Sequence, residues 1–88
     1  MCRNYRYQQT ALAQAKIGAD EVYAVYERGS VNDLVGIAKV VGNVAHLFDV
    51  HRYGDIEPLR VVRNWNRPSR REIARMFDLD HMWNVQLA

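Results

Sequence analysis

The residues from Ser30 to Phe48 constrain the fold most, because their apolar side chains recur at helical spacing over nearly the whole run. At about 100° per residue, Leu34, Ile37, Val41, Val44, Ala45 and Phe48 fall within roughly 100° of arc, and Asn32, Lys39, Asn43 and His46 fall within roughly 60° on the opposite side. The spacing predicts one buried helix over residues 31–50, with a mostly α, small helical domain built around it. Ser30, followed three positions later by Asp33, has the form of a capping box, and Asp33 suits the positive end of a helix dipole. Gly36, Gly42 and the valines weigh against a helix. The competing reading is a hairpin turning at Gly42-Asn43. In it Asp33, Lys39 and Asp49 share one parity and His46 takes the other, so neither strand face comes out clean. The helix is the stronger reading.

With 88 residues, 49% of them hydrophobic, the chain has the size of a single domain, residues 1–88, that buries roughly 60–65% of its unfolded surface. Its apolar runs fall short of the ~20 residues a membrane-crossing helix needs. Met1 to Arg6 are polar and aromatic with no apolar segment after them, so the expectation is a cytoplasmic, intracellular protein. Cys2 is the single cysteine. It excludes an intrachain disulfide and a thiolate zinc site.

Elsewhere, Tyr5 to Ile17 is rich in helix formers and ends at Gly18, as a capped helix would. Residues 21–27 fit a helix through Val22, Val25 and Tyr26, or a strand through Val22, Ala24 and Tyr26. Residues 53–58 read as a break around Gly54 and Pro58. Residues 59–65 are equally open: Leu59, Val62 and Trp65 share a helical face, and Leu59, Val61 and Trp65 share a strand face. Ser69 to Phe77 reads as a helix with Ile73, Met76 and Phe77 inward, and Asp80 can cap a last helix that buries Met82, Val85 and Trp83.

Charge is uneven. Arg60, Arg63, Arg67, Arg70, Arg71 and Arg75 face only Glu72 between positions 60 and 75, a segment of +5 against −3 for the rest of a chain of net charge +2. The planar guanidinium fork suits phosphate or carboxylate better than an ammonium does. A solvated, salt-bridged face accounts for the pattern as well. The stretch from Arg67 through Pro68-Ser69-Arg70-Arg71-Glu72-Ile73-Ala74 to Leu79 resembles the first helix and turn of helix-turn-helix repressors. The resemblance covers residues 67–87. It implies packing roles for Ile73, Ala74, Leu79 and Val85, phosphate contacts from Arg70, Arg71 and Arg75, with Arg67 beside them, and base reading by His81 and Asn84 on a helix in the major groove. Asp78 stands where that family usually has glycine, and Met82 and Trp83 stand where it has small polar residues.

No catalytic constellation emerges. His46 and Asp49 are three apart, His51 adjoins the break, and Asp78, Asp80 and His81 lie near the end, which supplies no metal-ligand set. Gly29, Gly36, Gly42 and Gly54 are too scattered for a phosphate loop. The expectation is a non-enzymatic protein without metal or cofactor. Tyr5, Arg6, Tyr7 and Trp83, with Trp65 and Met82, are residue types enriched at interface centres. On size alone, short chains of this kind are common among phage and mobile-element inhibitors of host proteins, anti-CRISPR proteins included. The reading is therefore a binding protein that docks on a partner protein or nucleoprotein complex and modulates it. The alternative is a helix-turn-helix-like DNA-binding regulator, whose case a homodimer would strengthen.

Overall fold

The computed structural model describes residues 5–27, 33–51, 53–77 and 84–88, and of Tyr5 the backbone alone. Along the chain come α1 (Tyr5–Lys16), β1 (Glu21–Tyr26), β2 (Leu34–Val41), β3 (Val44–Val50), β4 (Ile56–Val62), α2 (Arg70–Met76) and β5 (Asn84–Leu87). The strands form one antiparallel sheet in the order β4-β3-β2-β1-β5. This overturns the mostly helical expectation. The fold is mainly β, with a short helix on each face of the sheet.

The predicted helix over 31–50 is the β2–β3 hairpin. Gly42 adopts φ +61 in the two-residue turn, a conformation that glycine takes without the steric cost a Cβ brings. The turn is held from outside, since the Gly42 amide donates to the Asp20 carboxylate at 2.5 Å. β-branched Val35, Ile37, Val40, Val41 and Val44 favour the pleated surface. Ser30 lies outside the described residues.

The hairpin's parity is mixed because both faces of the sheet are covered, so inward residues of either parity are apolar. On the first face, α1 lies over β1 and β2 and buries Ala11, Leu12 and Ala15 against Val22, Ala24, Leu34, Ile37 and Val50. On the second face, Ile73, Ala74 and Phe77 close with Trp65 over Val25, Ala38, Val40, Ala45, Leu47 and Val85. Between Val25 and Tyr26 the register slips, so Val35 becomes an extra residue and Leu34 swings onto the first face beside Ile37. A buried polar side chain joins α1 to the start of β2: Gln8 Oε1 accepts from the Leu34 amide at 3.3 Å.

Of the segments 21–27 and 59–65, each open between helix and strand, residues 21–26 form β1 and 59–62 end β4, while 63–65 lie in the loop that follows. The last helix expected from Asp80 onward is also overturned, because Asn84–Leu87 pair with β1, Val85 facing Val25. The helices at 5–17 and 69–77 stand within a residue or so of the expected bounds. Ser69 caps α2 with a reciprocal box: its hydroxyl accepts from the Glu72 amide at 3.2 Å, and the Glu72 carboxylate accepts from the Ser69 amide at 3.3 Å. No described helix is long and apolar enough to cross a membrane.

Candidate functional site

After β4 the chain must leave the sheet edge and return over the second face to begin α2. Trp65 makes that return possible. Its amide donates to the Asn43 carbonyl at 2.6 Å, and its ring is 7% exposed, tilted at 49° against Tyr23 with centroids 6.0 Å apart. The backbone on either side turns through the left-handed region, at Asn64 (φ 58) and Arg67 (φ 45). Asparagine tolerates that region. Arginine does not favour it, and Arg67 is restricted further by the following Pro68. Such residues cost on the order of 1–3 kcal/mol and are characteristic of ligand clamps and other functional segments.

The outcome of this local fold is a basic surface. Arg63 and Arg67 on the loop, Arg70, Arg71 and Arg75 on α2, and Arg60 on β4 are all exposed. None of their six guanidinium groups makes an ion pair or hydrogen bond with another described residue. The salt-bridged reading of the segment is thereby corrected for the described residues, because the nearby carboxylates are occupied. Glu72 is held in the capping box, and Glu21 accepts from the Tyr23 hydroxyl at 3.3 Å. Arg71 and Arg75, four apart, share one flank of α2. Arg67 and Arg70 both lie within electrostatic reach of the Tyr23 hydroxyl. Burial, reinforced by the Glu21 carboxylate, pushes that phenol above its ordinary value, and the two guanidiniums oppose the rise.

Carboxylates stand at both ends of the strands. Trp65 ties the arginine loop to the β2–β3 turn at Asn43, an end that Asp20 and Glu21 share. Glu27, Asp33, Asp49, Asp55 and Glu57 gather at the opposite end, where Asp49 and Glu57 share a register with Gly36. There His51 Nε2 and Glu57 Oε2 pair at 2.9 Å on the surface.

The expected interface residues fall on separate faces. Arg6 and Tyr7 are exposed on α1, on the first face, and Tyr7 meets Tyr53 edge to face at 6.2 Å. Tyr5 begins α1, its side chain beyond what is described. Trp83 and His81, with Met82, Asp78, Asp80 and Leu79, lie outside the described residues. Asn84 is half-buried in β5, opposite Tyr26. The helix-turn-helix layout is corrected for the described residues, since Asn84, an expected base reader, stands at the start of β5 and not on a helix. His46 and Asp49, placed together by the helical reading, occupy opposite faces of β3. No cluster of three or more potential metal ligands occurs among the described residues.

A second surface, which the helical pattern of the sequence conceals, lies on the first face of the sheet. α1 packs mainly on β1 and β2 and reaches Val50 at the end of β3, leaving the rest of the β3–β4 half of the first face exposed. Its rows are Val41–Val44, Lys39–His46–Val61 and Phe48–Pro58, with Ile56 at the end beside the buried Val50. Val41, Ile56 and Val61 are 45%, 41% and 50% exposed. The helical reading had consigned Val41, Val44 and Phe48 to the core.

No protein-family model, curated protein or solved structure matches the chain.

Proposed function

We propose that the chain is a small non-enzymatic binding protein that docks on an acidic protein partner and modulates its activity, using Arg63, Arg67, Arg70, Arg71 and Arg75. The observation that carries this reading is the set of exposed guanidiniums left without carboxylate partners among the described residues. Like charges held together repel, so they favour association with a surface that neutralises them. Arginine also suits carboxylates through bidentate hydrogen bonds and is enriched among interface hot spots.

An acidic protein is favoured over nucleic acid on two grounds. β5 occupies the place of a recognition helix, and Trp65, the aromatic ring of the arginine loop, is buried and offers no platform for base stacking. The test is co-purification from the native host with the wild-type chain and with Arg70→Glu/Arg71→Glu. A partner retained by the first and lost by the second is expected. Equal recovery would remove the arginine surface from the interface, and a gel shift with DNA or RNA at low salt that collapses as salt rises would reassign it to phosphate.

A further inference from the structure

We propose that the open half of the first sheet face is a docking ledge for one amphipathic helix of a partner, with carboxylates beside its apolar stripe. The surface is separate from the arginine set, which lies over the other face. Its dimensions select the occupant. Two strands at a spacing of about 4.8 Å, and a strand length of about 23 Å at ~3.3 Å per residue, leave a shelf roughly one helix wide beside α1. α1 already exemplifies the mode, laying Ala11, Leu12 and Ala15 on the adjoining strands of the same face. A shelf of this size offers a few hundred Å² at most, against about 800 Å² per partner in a standard stable interface. A second copy packed sheet to sheet is thus disfavoured.

Strand addition is disfavoured as well. β4 is the free edge here, and it carries Pro58, an extra residue at Leu59 where the register slips, and the charged Glu57 and Arg60. These features blunt an edge against pairing with another strand. The face of β4 is left usable while its edge is not.

Charge sets the partner's chemistry. Lys39 and His46 adjoin Val61 in one row across the ledge, and no carboxylate shares their rows. Asp20 and Asp55 stand at opposite ends of the strands, Asp20 already holding the Gly42 amide. A helix bearing Glu or Asp along its stripe would therefore neutralise Lys39, where a basic one would be repelled. Tyr7, edge to face with Tyr53 ahead of β4, supplies an aromatic stop at that end of the ledge.

The experiment titrates the full chain with a synthetic helical peptide of about 18 residues, long enough to span the ledge, with a leucine stripe flanked by glutamates. A second peptide has lysines in place of the glutamates. Amide NMR shifts on β3 and β4 are expected with the acidic peptide, with at least tenfold weaker binding of the basic one. Val61→Glu, at an exposed position that leaves the core intact, is expected to weaken the acidic peptide at least tenfold. Lys39→Glu should reverse the preference between the peptides. Arg70→Glu/Arg71→Glu should change neither affinity, which separates this surface from the proposed function. Equal binding of both peptides, shifts confined to other elements, no binding at millimolar peptide, or a dimer in light scattering that Val61→Glu dissociates would each overturn the proposal.

Discussion

The ring of Phe77 lies where a side chain on Gly36 would stand: a Cβ added at Gly36 would come within 2.7 Å of Phe77 Cε1 and 2.9 Å of Cδ1. Gly36 is thus the position at which the end of α2 closes onto the sheet. Phe77, only 8% exposed and packed with Ile73 and Ala74, has little room to retreat. Gly36→Ala is expected to destabilise the protein by about 1–3 kcal/mol, the usual cost of overpacking a core. Urea unfolding measures it, and Gly36→Ala/Phe77→Leu should lose less than the two single changes together, because the residues touch. Additive losses would show that the ring yields freely.

Gly42 gives a test whose sign depends on the secondary structure. In the interior of a helix, Gly42→Ala would stabilise by about 1 kcal/mol. In the observed turn the residue holds φ +61, and an alanine there costs about 1–2 kcal/mol. Loss of stability in thermal or urea unfolding is therefore expected. A gain would restore the helical reading of residues 31–50.

That reading failed for a physical reason. Leu34, Ile37, Val41, Val44 and Phe48 fall on one helical arc, but in the sheet all five share the first face, because the bulge at Val35 brings Leu34 to the side of Ile37 and the turn at Gly42 restores parity in β3. Ala38 and Ala45 meanwhile bury on the second face beneath Trp65 and α2. Apolar residues of both parities erase the alternation by which a half-exposed strand is recognised. α1 and α2 were legible because Gly18 and the Ser69–Glu72 pair are local signals. The arginine surface was legible as composition, and its lack of carboxylate partners was not, since the capping box that occupies Glu72 and the Tyr23 bond to Glu21 are visible only in three dimensions. The open ledge left no trace in the sequence once its residues had been assigned to a core.

Tyr23 predicts a loss of stability in alkali. Burial, then Glu21, raises its pKa in the folded chain above the ordinary 10.0. Below pH 10 folded and unfolded chains both keep the phenolic proton. As pH rises past 10 the unfolded chain releases it first, so the unfolded state binds fewer protons and stability falls until the folded phenol also ionises. Melting temperatures of wild type and Tyr23→Phe between pH 8 and 11 isolate the effect, because the remaining tyrosines are common to both. The wild type should fall more steeply above pH 10, and parallel curves would refute the assignment. Arg67→Gln/Arg70→Gln should raise the phenol further, since both cations oppose its rise.

Arg67 is the residue at which stability and binding are expected to part. Its φ of 45 is a conformation that costs a side-chain-bearing residue about 1–2 kcal/mol. Glycine removes that cost while adding roughly 0.5–1 kcal/mol of chain entropy lost on folding. Arg67 has no ion pair or hydrogen bond among the described residues to lose. Arg67→Gly should therefore raise stability by up to about 1 kcal/mol while weakening capture of the acidic partner. Arg67→Lys, which keeps the charge and the strained backbone, should leave stability near wild type and weaken capture less. Chemical denaturation and partner binding measured on the same preparations check both halves. If Arg67→Gly were destabilising, the left-handed turn would draw support from the arginine side chain itself. The strain would then not be held in place by the anchoring of Trp65 alone.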